Sequence, residues 1–399
     1  MNYRILLLTA GMFVIGTEAF MIAGLLPALA GDLNVSVSAA GQLVTVFSLA
    51  YAFGSPILAT LTGRMERRRL MTGAMLLFAA GNALCGWGAA YGLVFLGRVI
   101  TAAGAGLFAP AAAHTASVLS DPGHRGRALA LVLGGATVAL ILGVPAGTWM
   151  AYMLDWRLPF WIVAGLSAAV AAGVRLFFPV VASPGSVTLS ERLSPLKRPL
   201  VLTALAASLT WGIGVFTVYT YIADIFGQFG ATGRTVSVVL LLAGLASFAG
   251  VQFGGFAVDR YGSNRIIVFT LLLLMLAVIS LSLLRVIPGY AGPLALGGAA
   301  MALWGFSGYA FNPAQQHRLI GLSGPAAGVV LSLHNSSIYL GTALGAMIGG
   351  IVLELGSASA LGLCSCAAFV AALAAHGASR RLAAKESGAG GLSTPAAGH

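Results

Sequence analysis

The sequence predicts an all-α membrane protein of twelve transmembrane helices, and three observations lead there. Of 399 residues, 59% are hydrophobic and only 8% are charged, against about 25% charged residues in a soluble domain. A window of roughly 20 residues, enough to cross about 30 Å of hydrocarbon, resolves the chain into twelve apolar spans separated by short polar breaks. The spans are rich in Gly, Ala and Ser and do not alternate polar with apolar residues, which marks helices and not barrel strands. The 54 glycines suit helices whose backbones approach closely in lipid.

The spans lie near residues 5–27, 38–61, 70–89, 91–116, 128–152, 158–178, 199–222, 235–258, 266–286, 293–314, 326–353 and 359–378. Basic residues accumulate on the cytoplasmic side of such proteins. With the N-terminus inside, the inner segments hold Arg4, Arg64, Arg67, Arg68, Arg69, Arg125, Arg127, Arg175, Arg192, Lys197, Arg198, Arg260, Arg265, Arg318, Arg380, Arg381 and Lys385. The outer segments hold only Arg157, Arg234 and Arg285, and Arg98 lies inside a span. The expectation is a multi-pass protein of the inner membrane with both termini cytoplasmic.

The net charge of +11 is therefore a topology signal and does not point to nucleic acid. Ala28-Leu29-Ala30 resembles a signal-peptidase site, but the apolar stretch before it is about twice a usual signal h-region and contains Glu18, so it reads as the first span. Cys85, Cys364 and Cys366 fall within spans without His, Asp or Glu at metal-ligand spacing. They read as small packing residues, and no metal is expected. The glycine-rich end of the chain reads as a disordered cytoplasmic tail over 380–399.

The longest inner loop, 179–198, is a polar linker that divides the spans six and six. It separates a bundle over 1–178 from a second over 199–379. The halves echo each other: residues 59–69 follow span 2 as residues 255–265 follow span 8, each a basic loop at the same place, as in a duplicated six-helix unit.

Gly255, Asp259, Arg260, Gly262 and Arg265 resemble the inter-helix signature of the major facilitator superfamily. The first half carries a degenerate copy with Gly63, Arg64 and Glu66. Arg98 with Gly104 and Gly106 resembles the superfamily's Arg-plus-glycine motif in span 4. Gly143, Pro145 and Gly147 in span 5 resemble its antiporter motif, in variant form. Gly16-Thr17-Glu18-Ala19-Phe20, Gly24-Leu-Leu-Pro27 and Asn335-Ser-Ser337 with Gly341 resemble the bacterial drug:proton antiporter family of twelve-span exporters, which includes chloramphenicol, sugar and purine efflux permeases. The resemblance implies the major facilitator fold of two pseudo-symmetric six-helix bundles around a cavity. It leaves the substrate open.

Among ten acids, Glu18 alone sits well inside a span. A carboxylate there costs several kcal/mol unless paired, hydrated or protonated, which makes it a functional candidate. At about 1.5 Å per residue, Glu18 lies roughly 13 Å and Arg98 roughly 10 Å from the outer helix ends; the resemblance implies that spans 1 and 4 both border the cavity, so the two can pair directly or through water or substrate. A nearby Arg and a change in hydration would swing the carboxyl between binding and releasing a proton. Both are assigned to proton coupling.

The resemblance implies that the corresponding spans line the pathway, so substrate contact is expected from Glu18, Met21, Arg98, Trp211, Thr217, Tyr221, Trp304, Phe311, Asn312, His334 and Asn335, an apolar surface with a few polar anchors. Gly255, Asp259, Arg260, Gly262, Arg265, Arg64 and Glu66 form a candidate conformational latch. Gly143, Pro145 and Gly147 should bend span 5. The chain lacks a Gly-x-x-x-x-Gly-Lys-Ser/Thr phosphate loop and a nucleophile–base pair, paired acids or metal cluster, so neither an ATP-driven pump nor an enzyme is expected. The sequence reads as a proton-coupled exporter of a small, fairly apolar molecule such as a phenicol, working by alternating access without a cofactor. Efflux of a sugar, nucleoside or purine is the alternative reading, and a uniporter is another. Partners are the substrate, protons and lipid, and a monomer is expected.

Overall fold

A computed structural model describes residues 3–183, 185, 188–283, 291–355 and 358–390. Among the described residues, twelve helices are long and apolar enough to cross a membrane. They are α1 (Tyr3–Asp32), α2 (Val37–Leu61), α3 (Arg67–Trp87), α4 (Tyr91–Val118), α5 (Arg125–Met153), α6 (Leu158–Phe177), α7 (Pro199–Gly227), α8 (Gly233–Tyr261), α9 (Ser263–Leu283), α10 (Ala291–Ser323), α11 (Ala327–Glu354) and α12 (Ala358–Gly390). Among the described residues there is no strand. Each expected span is present. Several run longer, because a 30-residue helix such as α1 is about 45 Å long and crosses the headgroup regions as well as the hydrocarbon.

One expectation is corrected. Residues 380–390 continue α12 as helix where a disordered tail was expected. Arg380 to Glu386 are mostly strong helix formers, and they extend a helix already nucleated in the span. Residues 391–399, and the outer-loop Arg285, lie outside the described residues.

Local chemistry sets the joints. Ser36 caps α2 by accepting from the Ala39 N–H at 3.0 Å. Only Gly262, at φ +80°, separates α8 from α9, a backbone conformation that favours glycine. Pro145 supplies no N–H and crowds the preceding turn, and a π-helical turn at Ala139–Gly143 lies just before it, with the Val144 N–H bonding to Ala139 O. In the 179–198 loop, Thr188 and Glu191 form a capping box over the short helix Leu189–Leu193.

In the first half α3 packs on α4 and α6, α1 on α5 and α6, and α2 on α4. In the second, α8 and α9 pack on α10, α9 on α12, and α7 on α11 and α12. The two halves meet mainly through α2 against α11 and α5 against α8. These contacts gather away from the basic loops that follow α2 and α8. Gly233 of α8 lies under Tyr152 of α5, and Gly244 abuts the Leu140 backbone. The Tyr221 hydroxyl donates to Ala346 O at 2.7 Å, and the ring fills a groove made by Gly41, Gly349 and Gly350. A side chain on any of these glycines would collide with its neighbour, so glycine makes the seal. Toward the basic end a cleft of about 440 Å³ opens between Phe53 and Ile57 of α2, Leu205 of α7 and Leu340 of α11, with Leu193 of the linker beside it.

Candidate functional site

The seam encloses an aromatic chamber. Phe20 of α1, Val144 of α5, Trp211 and Tyr219 of α7, Ser247 of α8 and Trp304 of α10 are among the residues lining a narrow cavity of about 20 Å³ between the halves, room for about one water in this state. Tyr219 stacks on Trp304 with centroids 5.3 Å apart and planes 6° from parallel. Trp211 stacks on Phe311 at 5.1 Å and 7°. Phe20 stacks on Phe216 at 6.2 Å, and its carbonyl accepts from the Tyr219 hydroxyl at 3.2 Å. The indole N–H groups of Trp211 and Trp304 are buried and have no partner among the described residues, so the apolar wall carries two donors for an acceptor group.

Beside it, Glu18 and Arg98 form a direct ion pair, both side chains fully buried. The Arg98 Nε donates to Leu43 O at 3.1 Å, and Thr101 Oγ1 donates to Glu18 Oε1 at 3.1 Å. The Arg98 guanidinium sits 4.2 Å above the Phe47 ring, a cation–π contact. Glu18 Oε2 and one Arg98 amine nitrogen have no partner among the described residues. The expected pairing of spans 1 and 4 is present. Neither residue lines the chamber: Phe20, two residues on, faces it, while Glu18 turns toward α4.

The other expected contacts divide. Trp211 and Trp304 line the chamber and Phe311 backs it. Tyr221 seals the α2–α11 seam instead. The Thr217 hydroxyl donates to Ile213 O, and its backbone lies against Gly345 of α11. Met21 packs on Gly147, and Gly143 lies against Thr17, so the antiporter-type motif is a close α1–α5 contact. Asn312 is half-buried and Asn335 exposed. His334 is buried and shares Ser208 with Gln315: the His334 Nδ1 lies 2.9 Å and the Gln315 amide 3.0 Å from Ser208 Oγ.

In the candidate latch, Glu66 pairs with Arg68 at 3.3 Å and Arg69 at 3.2 Å, within its own half. Asp259 and Arg260 are exposed, and no ion pair joins Asp259 to another described residue. Gly255 has open space around it and Gly262 makes the α8–α9 turn. Arg64 and Arg265 are exposed at the same end.

Sequence reasoning missed Tyr219, Phe20, Thr101, Phe47, Ser208 and Gln315. Helical spacing does not single out the first: at about 100° per residue, Tyr219 and Tyr221 each lie about 80° from Trp211, on opposite sides of the helix.

Comparison with known proteins agrees with this architecture. Residues 8–346 match the Major Facilitator Superfamily. The chain is 32% identical over 358 residues to the inner membrane transport protein YdhP of Escherichia coli (strain K12), covering 89% of this chain and 90% of that one. It is 35% identical over 259 residues to a chloramphenicol resistance protein of Streptomyces lividans, covering 64% of this chain and 66% of the relative. The crystal structure of a D-xylose-proton symporter shares the fold with a TM-score of 0.76 at 17% identity, covering 93% of this chain and 96% of that one. The chain belongs to the major facilitator superfamily of multi-pass membrane transporters.

Proposed function

We propose that this transporter exports small, mostly apolar aromatic molecules in exchange for protons. The observation that carries the reading is the buried Glu18–Arg98 pair on the same helix that supplies Phe20 to the chamber wall. Protonation of Glu18 removes one charge of the pair and leaves Arg98 held by Leu43 O and the Phe47 ring. A bound proton therefore favours a different packing of α1 against α4 than an ionised pair does, and α1 passes that change to the chamber. The proton enters from the outer side, and release toward the cytoplasm restores the pair.

The residues at the basic end support an orientation with both termini cytoplasmic. In that orientation the protein is closed outward and cleft inward. The two six-helix bundles, 1–178 and 199–379, act as the moving bodies, joined by the 179–198 linker, and the protein works as a monomer in the inner membrane. Gly255, Asp259, Arg260, Gly262, Arg265, Arg64 and Glu66 latch the basic end when it closes. The chamber's stacked rings and two indole donors favour a planar, uncharged compound with a hydrogen-bond acceptor over a sugar, whose hydroxyls would need more polar partners. The relative named for chloramphenicol resistance supports the same class.

The test is proton flux into vesicles holding purified protein, over a panel of phenicols, sugars, nucleosides and purines. Flux stimulated by phenicol-like aromatics alone supports the reading. Flux stimulated by sugars or nucleosides moves the substrate to a metabolite, and transport indifferent to pH overturns proton coupling.

A further inference from the structure

At the basic end of the second half, an open cavity of about 250 Å³ lies between the start of α9 and the ends of α10 and α12. Its lining includes Ser263, Asn264, His317, Arg318, Leu322 and Arg380. We infer that this pocket binds a phosphate group, that of an anionic lipid headgroup or of a soluble phosphate.

Arg318 is the first reason. It is 6% exposed, and its guanidinium donates to His376 Nδ1 at 2.8 Å and to Ser379 Oγ at 2.8 Å. Both acceptors are uncharged, because a ring nitrogen that accepts from a guanidinium carries no proton. No ion pair among the described residues involves Arg318 or Arg380. A desolvated guanidinium without a counter-charge is costly, and an anion beside it offsets that cost. Glu386 faces Arg198 at 3.7 Å, and neither it nor the exposed Asp259 is among the lining residues.

The first half supplies the contrast. Aligned on their basic loops, Glu66 corresponds to Gly262, Arg68 to Asn264 and Arg69 to Arg265. In the first half Glu66 neutralises Arg68 and Arg69, and Arg68 also donates to Phe178 O at 3.3 Å. That corner closes on its own carboxylate. In the second half the carboxylate is absent, glycine stands in its place, and the cations come instead from α10 and α12. The N-terminus of α9, a 21-residue helix, adds its partial positive charge to the same space.

The chemistry is that of a phosphate monoester or diester: tetrahedral, anionic and able to accept from a guanidinium and from backbone N–H groups at once. Leu322 beside the polar lining suits the glycerol end of a lipid, and basic pockets between helices at the cytoplasmic surface recognise such headgroups.

The experiment is native mass spectrometry of the full-length protein in neutral detergent, titrated separately with phosphatidylglycerol, phosphatidylcholine and inorganic phosphate. Wild-type protein should retain phosphatidylglycerol over phosphatidylcholine. Arg380→Ala with His317→Ala should weaken that retention by about fivefold or more, since each surface cation is worth about 1 kcal/mol toward an anionic lipid. Arg380→Lys should keep most of it, and Arg175→Ala, which removes one exposed charge elsewhere, should change nothing. Competition by millimolar inorganic phosphate, lost in the same double variant, would support the same phosphate site with a soluble source. Equal retention of both lipids, or equal phosphatidylglycerol binding by the double variant and wild type together with no response to phosphate, would overturn the inference.

Discussion

Tyr51 of α2 and Tyr339 of α11 stack with ring centroids 3.8 Å apart across the seam between the halves. Phe47, one turn before Tyr51, contacts the same Tyr339 ring at 6.4 Å and carries the Arg98 guanidinium on its face. The ion pair and the seam are thus neighbours through one aromatic cluster. Such a stacked pair is worth about 0.5–1.5 kcal/mol. We predict that Tyr339→Ala shifts the conformational equilibrium by about 2- to 12-fold toward the state in which α2 and α11 part. Cross-linking of cysteines placed at Thr45 and Ala343, whose side chain and carbonyl meet at 3.4 Å, should fall accordingly. Undiminished cross-linking would show that the stack does not hold the seam.

The α5–α8 seam depends on a missing side chain. Gly244 rests on the Leu140 carbonyl, so Gly244→Leu cannot pack without moving α8 away from α5. The variant should fold, since the collision exists only when this seam is closed, and should stall export by holding the outer end apart. Labelling of an outer-seam cysteine by a membrane-impermeant thiol reagent should rise. Unchanged labelling with unchanged export would remove the seam from the transport cycle.

The chamber prediction separates stacking from hydrogen bonding. Trp304→Phe keeps a ring against Tyr219 but deletes an N–H that has no protein partner. It should weaken binding of acceptor-bearing aromatics by about tenfold while leaving ligands without an acceptor near wild type, because one hydrogen bond is worth about 1 kcal/mol net or somewhat more. Tyrosine and tryptophan fluorescence quenching would read both. An equal loss for both ligand classes would mean that ring shape alone selects.

Much of the fold was legible because hydrocarbon thickness and charge bias act on long stretches of sequence. The twelve spans needed only hydropathy, and the Glu18–Arg98 pair needed depth together with the family resemblance, which puts spans 1 and 4 on one cavity. Rotation about the helix axis was less legible. Tyr221 and Tyr219 differ by two positions, yet one plugs a glycine groove and the other walls the chamber, and hydropathy does not distinguish the two faces of a helix buried all round. The partners of His334 were hidden for a related reason: Ser208 and Gln315 come from α7 and α10, and a single sequence does not show which helices meet.

Asp259 is exposed and outside every ion pair among the described residues, as the latch reading requires of a state with its basic end open. Asp259→Asn should therefore leave this state's stability within about 0.5 kcal/mol, as for surface changes generally. It should depopulate the state in which the basic end is closed. Reduced cross-linking between cysteines on the two basic loops would agree, and unchanged cross-linking would count against the latch.

His334 is predicted to be structural. Its Nδ1 meets Ser208 in a network that also holds Gln315, and its ring is buried. His334→Asn should retain proton-coupled export at a rate within a few-fold of wild type and lower thermal stability, because removing one partner leaves buried groups unsatisfied at a cost of about 1–3 kcal/mol. Loss of proton release with unchanged stability would move the coupling role to this residue.

In the proposed mechanism Glu18 carries the proton. Glu18→Gln preserves shape and imitates the protonated acid, but it leaves Arg98 in a fully buried setting without its charge partner, so some loss of stability is expected. Arg98→Ala, which strands the carboxylate, should cost about 3–5 kcal/mol, and Arg98→Lys should impair coupling less, keeping the charge but not the planar fork. The most direct measurement is uphill efflux of a phenicol from vesicles beside proton release from the purified protein, wild type against Glu18→Gln. Glu18→Gln should bind ligand with no pH dependence, release no proton on binding and export nothing against a gradient. Wild-type proton release together with uphill export by Glu18→Gln would contradict it.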